Sequence, residues 1–405
     1  MILRAPTEAR PSPARAARGI LRFVHDERVR EIVYQALVFG TIAWVIYLLL
    51  STAAEKQAAQ GILTGFGFLD VSAGFDIDFK LIDYEPGEGT YGDIFIIGIL
   101  NTLLVSVFAI IASTALAFVI GIMRLSSNWL VSRIALVYVE FLRNTPLLIQ
   151  VVFWYLGVFN VLPRVAQSLN VFDLDLAYVN NRGMFMATPI FGELFWVTQA
   201  ALAVAVIGFW VLWRRAARHQ AETGGYIPVF WPSAMLIIGL PALAFMATGQ
   251  PLDWERPVLG GFNYRGGVHV PPAFLALVVS LSLYHAAHLA ESIRAGIQSV
   301  PKGLSEAARS LGLHPLRALS LVVIPLGMRA IVPPMISSWI SAIKNTSLAA
   351  AIGYADLVAV FQGTSINQSG HAVEIVAMTM GFFMAVSLVL SALLNLYNKH
   401  MKLKE

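Results

Sequence analysis

Apolar stretches alternate with short polar ones along nearly the whole chain. Eight runs stand out, roughly 32–50, 94–121, 134–159, 194–213, 229–246, 272–290, 319–341 and 373–396. Each approaches or exceeds the ~20 residues a helix needs to cross ~30 Å of hydrocarbon. The pattern therefore predicts an all-α membrane protein with eight transmembrane helices. One polar break is too regular to be a casual loop: ESIRAGIQSVPKGLSEAARSLGLHPLRALSLVVIP, residues 291–325. Gly296, Pro301 and Gly303 punctuate its front. A helix-forming block follows at 304–311, and Gly312 with His314 and Pro315 ends it and starts another helix, because proline fits a first helical turn. The segment reads as a short helix with a bend on either side.

Composition agrees with the membrane class. The hydrophobic fraction is 57% and the charged fraction 13%, about half the quarter expected of a soluble domain, and mean hydropathy is +0.70. Cysteine is absent, which excludes disulfides, thiolate metal sites and cysteine nucleophiles. The basic residues carry orientation. With a cytosolic N-terminus, the segments 1–31, 122–133, 214–228, 291–318 and 397–405 hold nineteen Lys and Arg, against seven in the opposite loops. Positive charge stays inside, so both termini and the 291–318 segment are expected in the cytosol. Residues 1–31 read as a basic tail rather than a targeting peptide, since Glu8, Asp26 and Glu27 interrupt the arginines.

Small residues four apart let membrane helices approach closely. Ala109, Ser113, Ala117 and Gly121 form one such series and Ala377, Gly381 and Ala385 another, both implying a bundle. The loop 51–93, long, acidic and glycine-rich, reads as a solvated or interfacial excursion rather than a packed domain. Pro333 and Pro334 are expected to break the seventh span. Intramembrane charges are costly and line a pathway or pair with one another. Both readings are open for Glu140 and Arg143, and Arg329 is a second candidate. His285, His288 and Glu291 share a helix face at a spacing that could hold a metal. Histidine hydrogen-bonded within a bundle is the commoner case, and no metal site is expected. No catalytic constellation and no nucleic-acid-binding pattern is present.

Within the central segment, Glu306, Ala307 and Ala308 precede Gly312 by a fixed offset, and Val322, Ile324 and Pro325 follow. At average residue usage such a constellation arises by chance in about one chain in a few thousand. Two alanines give a narrow helix face able to enter a groove, while Glu306 and Arg309 can pair with each other or with a partner's charges. The segment resembles the EAA loop of ABC importer permeases, with Val322 and Ile324 as conservative departures. Residues 297–303 (IQSVPKG), 344–348 (KNTSL) and 140–150 (EFLRNTPLLIQ) resemble the polar amino-acid branch of that family. The likeness covers roughly 94–396, interrupted by an extra helix pair near 194–246. That pair and the added first span, with its long loop within 32–93, are similar to the larger permeases of general L-amino-acid importers.

The resemblance implies a type I ABC importer bundle with a cytosolic coupling helix, in a bacterial inner membrane. Glu306, Ala307, Ala308 and Gly312 would couple to a cytosolic ATPase dimer. The chain has no G-x-x-x-x-G-K-[ST] sequence to cradle phosphates, so ATP and Mg would be used by that partner and no cofactor by this chain. A periplasmic amino-acid-binding protein would deliver cargo, and a second homologous permease would complete a heterodimer. Glu140, Arg143, Asn144, Thr145, Arg329, Lys344, Asn345 and Thr346 are the candidate substrate path, although Lys344 also suits an interfacial, snorkelling position. The alternatives are an ABC permease for another small polar solute, or an ion-coupled secondary transporter.

Overall fold

A computed structural model describes residues 27–59, 61, 65–171, 174–225 and 227–401. Nearly all of the basic N-terminal tail and the last four residues of the C-terminal one lie outside them. The helices are α1 (Glu27–Ala59), α2 (Tyr91–Arg124), α3 (Trp129–Asn144), α4 (Leu147–Val161), α5 (Phe195–Thr223) and α6 (Phe230–Ala247). They continue with α7 (Pro272–Gln298), α8 (Lys302–Ser310), α9 (Leu319–Ile352) and α10 (Ala372–Met401). Among the described residues seven helices are long and apolar enough to cross a membrane, and α3 with α4 makes an eighth if counted as one span. These coincide with the eight apolar runs.

The third run is not a straight helix. Its halves meet at 104°. Pro146 disfavours helical backbone in the residue before it, and Thr145 is extended at φ −94°. Gln150 closes the corner. Its amide donates to Leu142 O and Thr145 O, each at 3.0 Å, two carbonyls that the broken helix cannot satisfy internally.

The chain forms two compact units. The first comprises residues up to 76, 83–96 and 360–384. In it the loop expected to be a solvated excursion is instead packed. Phe68 is buried and stacks on His371 with centroids 4.5 Å apart, Gly65 N–H donates to Glu374 at 3.0 Å, and the Tyr84 hydroxyl donates to Phe75 O at 2.8 Å. The aromatic residues, not the glycines, decide the outcome, because burying rings offsets the ordering of backbone. Thr90 and Asp93 exchange backbone-to-side-chain hydrogen bonds and cap α2.

The second unit, 77–82, 97–359 and 385 onward, is built around α7. Leu277, Leu281, Ala286, Leu289, Ala290 and Ile293 are almost wholly buried along it. One end packs on α2 and α4 through Val105, Ala109, Leu147 and Val151. The other packs on α2, α3 and α9 through Ala117, Val139 and Ile331. The first small-residue series is buried throughout. At Gly121 an added Cβ would come 3.0 Å from Ala290 O, so close backbone approach explains the series. The second behaves differently: Ala377 and Ala385 are exposed, and a Cβ at Gly381 would meet nothing within 4 Å.

α9 is not broken by its prolines. The helical stretch Ile324–Asn345 runs through Pro333 and Pro334, which leaves the carbonyls four residues earlier without a helix donor. Membrane helices tolerate this where neighbours hold the segment. The first turns of α9, Leu319–Val323, are widened to π-helix.

The loops between α4 and α5 and between α6 and α7 add short strands that hydropathy does not signal. β1 (Leu169–Asn170), β2 (Ala177–Asn180), β3 (Gly183–Met186) and β8 (Val268–Val270) make an antiparallel sheet. β4 (Thr188–Phe191) pairs with β5 (Leu252–Glu255), and β6 (Val258–Gly260) with β7 (Asn263–Arg265). The β4–β5 ladder is the stem from which the α5–α6 hairpin extends.

Candidate functional site

Halfway along the 27-residue α7 sits His285. Its Nδ1 lies 3.2 Å from Ser338 Oγ and its Nε2 3.2 Å from Asn345 Nδ2, both on α9. An imidazole donating from Nδ1 and accepting at Nε2 satisfies both contacts. Around it opens a cleft of about 520 Å³, lined by Arg143 from the end of α3, by His288 and Glu291 from α7, and by Ser337, Ser338, Ser341 and Asn345 from α9. The α9 residues recur at three- and four-residue intervals, so they share one helix face. Intervals of three across 285, 288 and 291 do the same for α7, and the two polar faces meet.

Charge in the cleft is unevenly compensated. Glu291 is held by two cations: Arg124 Nη2 at 3.2 Å, and Arg294, whose Nε lies 3.0 Å away. Arg143 has no ion-pair partner among the described residues. The cleft therefore presents one guanidinium without a direct ion pair, beside the Glu291 carboxylate that two other arginines hold and neutral hydroxyl, amide and imidazole groups. Among the described residues no group of three or more His, Asp or Glu could hold a metal ion.

Beyond the end of α7, α8 lies across the polar segment. Pro301 precedes it, and Gly312 ends it in the left-handed region at φ +79°. Gly312 N–H donates to Arg309 O at 2.9 Å and Leu313 N–H to Ala308 O at 3.2 Å, the paired bonds of a glycine-terminated helix. Along α8 the exposed residues include Leu304, Glu306 and Ala307, and Leu311 just beyond is 83% exposed. Leu304, Ala307 and Leu311 lie three and four apart and share a face.

Comparison with known proteins decides what this arrangement belongs to. Residues 211–403 match the family described as the binding-protein-dependent transport system inner membrane component. The chain is similar to YhdX, an amino-acid ABC transporter permease protein of Escherichia coli, at 43% identity over 96% of this chain and 98% of that one. It is similar to the general L-amino acid transport system permease protein AapQ of Rhizobium johnstonii at 42% identity over 94% of each. The chain belongs to the binding-protein-dependent permease family. A solved amino acid ABC transporter with histidines is also similar, at 21% identity and TM-score 0.46 over 77% of this chain and 95% of that one.

Within this permease the sequence-predicted path residues separate. Arg143 and Asn345 line the cleft. Glu140 does not pair with Arg143; it accepts from Asn144 Nδ2 at 3.5 Å, and both residues are exposed. Thr145 donates to Phe141 O at 2.8 Å, and buried Thr346 donates to Ile343 O at 2.8 Å. Lys344 is exposed, and Arg329 is half-buried with an unpartnered Nε. The hydroxyl stripe on α9 escaped the sequence reading, although its spacing was visible there. Of the residues that the resemblance marks for coupling, Glu306 and Ala307 face outward while Ala308 is 5% exposed and packs inward. Successive residues turn about 100° around a helix, so the two alanines cannot share one outer face. Glu306 and Arg309 have no ion-pair partner among the described residues.

Proposed function

We propose that this permease subunit of an ABC importer carries general L-amino acids, with the His285 cleft as its route through the bundle. The observation that carries the reading is Arg143, a guanidinium with no direct ion pair among the described residues. The one carboxylate on its wall, Glu291, is already held by Arg124 and Arg294, and the other groups are neutral donors and acceptors. Every L-amino acid brings a carboxylate that a guanidinium can bind in bidentate fashion. Hydroxyl and amide groups accept the ammonium and tolerate varied side chains. The name of AapQ supports the same cargo.

The α8 helix then serves as the handle for a cytosolic ATPase dimer, with Glu306, Ala307 and the exposed Leu311 as contacts and Gly312 as the helix stop. ATP and Mg belong to that subunit, for this sequence holds no phosphate-binding loop. A binding protein supplies cargo on the opposite side, and a second homologous permease completes the pathway. Both termini then lie in the cytoplasm, a placement that the distribution of basic residues supports. An ion-coupled carrier would leave α8 without a purpose.

Arg143→Gln in the reconstituted importer tests the reading. Uptake of acidic, neutral and basic amino acids should fall together by about tenfold or more, the loss expected of a charged hydrogen bond, while ATPase association persists. Unchanged uptake of all three classes would overturn it.

A further inference from the structure

The α5–α6 hairpin finds its main packing partner in itself. Its arms cross at Gly208, where an added Cβ would come 2.6 Å from Leu236 Cδ2. Counting along the antiparallel arms from that crossing puts Trp231 level with Trp213. Trp210, Trp213, Phe230 and Trp231 are 49%, 55%, 70% and 75% exposed. Such a ring of exposed aromatics is what an interfacial belt looks like. Directly beyond it on α5 come Arg214, Arg215 and Arg218, all exposed. The Arg214 guanidinium lies 3.7 Å from the centre of the Trp210 ring. Among the described residues none of the three has a carboxylate partner.

Depth fits a headgroup layer. From Trp213 to Arg218 a helix rises about 7.5 Å, close to the thickness of one polar headgroup region, ~5–7 Å. The leaflet follows from connectivity within the unit. α5 and α7 both leave the strand region at their N-termini, so their C-termini point to the far side, where α7 is followed by α8.

We propose that the basic end of this hairpin binds an anionic phospholipid headgroup in the leaflet next to α8. Arg214, Arg215 and Arg218 take the phosphate, and Trp210, Trp213 and Trp231 seat the boundary between headgroup and acyl chain. Phosphatidylglycerol fits because its phosphate charge is uncompensated, whereas phosphatidylcholine brings its own cation.

The full-length permease, exchanged into micelles with equal phosphatidylglycerol and phosphatidylcholine, is examined by native mass spectrometry. Wild type should retain phosphatidylglycerol preferentially. R214Q/R215Q/R218Q should lose that preference by at least about tenfold, since each arginine near an anionic surface contributes about fivefold. R182Q, in the outer loop, should keep it. No preference in wild type, equal retention by the triple variant, or an equal loss in R182Q would overturn the proposal. If the triple variant fails to fold, salt decides with wild type alone. Retention should fall as the Debye length shrinks from ~10 Å at 0.1 M to ~3 Å at 1 M, and salt-independent retention would refute the site.

Discussion

Gly296 of α7 and Gly327 of α9 meet backbone against backbone: a Cβ built on Gly327 would lie 3.1 Å from Gly296 O. Backbone cannot swing aside as a side chain can, so Gly327→Ala should destabilise the bundle by about 1–3 kcal/mol, the usual cost of overpacking. Gly381→Ala makes the contrast. Nothing lies within 4 Å of its added Cβ, and alanine in a helix interior gains roughly 0.5–1 kcal/mol over glycine. Thermal unfolding in one detergent should move the two midpoints in opposite directions. A shared direction would contradict the packing account.

The end of α8 offers a second paired test. Gly312 sits at φ +79° and Gly303 has ordinary backbone, with no neighbouring atom against either Cβ position. Gly312→Ala then costs about 1–2 kcal/mol from left-handed backbone alone. It should loosen α8 and reduce co-purification of the ATPase, whereas Gly303→Ala should do neither.

Glu306 separates docking from folding. It is exposed and has no ion-pair partner among the described residues, so Glu306→Lys should alter stability by no more than about 0.5 kcal/mol. Transport-coupled ATP hydrolysis should nonetheless be lost. Normal uptake by this variant would remove α8 from the coupling path.

Asp356 predicts a pH dependence. The residue is fully buried after α9, where one carboxylate oxygen accepts from Ala359 N–H at 2.8 Å and the other has no partner. Burial pushes its pKa up to about 7 from the ordinary 3.8. The protonated form is thus favoured in the folded state. Its stabilisation is complete below pH ~4 and is lost as pH rises toward about 7. Asp356→Asn, which does not titrate, should match wild type near pH 4 and exceed it in melting temperature by pH 8. A constant difference across that range would mean that Asp356 stays ionised.

The apolar runs placed the seven long spans, and the bent α3–α4 pair beside them, because crossing a membrane constrains length so tightly. The α8 segment was equally legible, since glycine and proline mark its ends for reasons of backbone geometry. Features set by contacts between distant residues were not. The rings of Phe68 and His371 come together across three hundred positions, and no local pattern reports that. Strands β4 and β5 are four residues each, too short for alternation to register. Arg143 was legible as a candidate, with pairing to Glu140 left open beside a pathway role; that Glu291 and Asn345 line the same cleft was not, because they are distant in sequence and close only in space. Pro333 and Pro334 misled in the other direction: a rule for isolated helices gave way to packing on α7.

The widened turn at Leu319–Val323 has a mechanical consequence. A π-turn accommodates one residue more than an α-turn over nearly the same length. Should it tighten to ordinary helix, α9 must advance past its neighbours by one residue, about 1.5 Å, and roll by about 100°. Because this turn directly follows the segment that carries α8, a pull on α8 acts on a built-in slip of fixed size. The hydroxyl face of α9 would then rotate away from His285 in a single discrete step rather than by gradual bending.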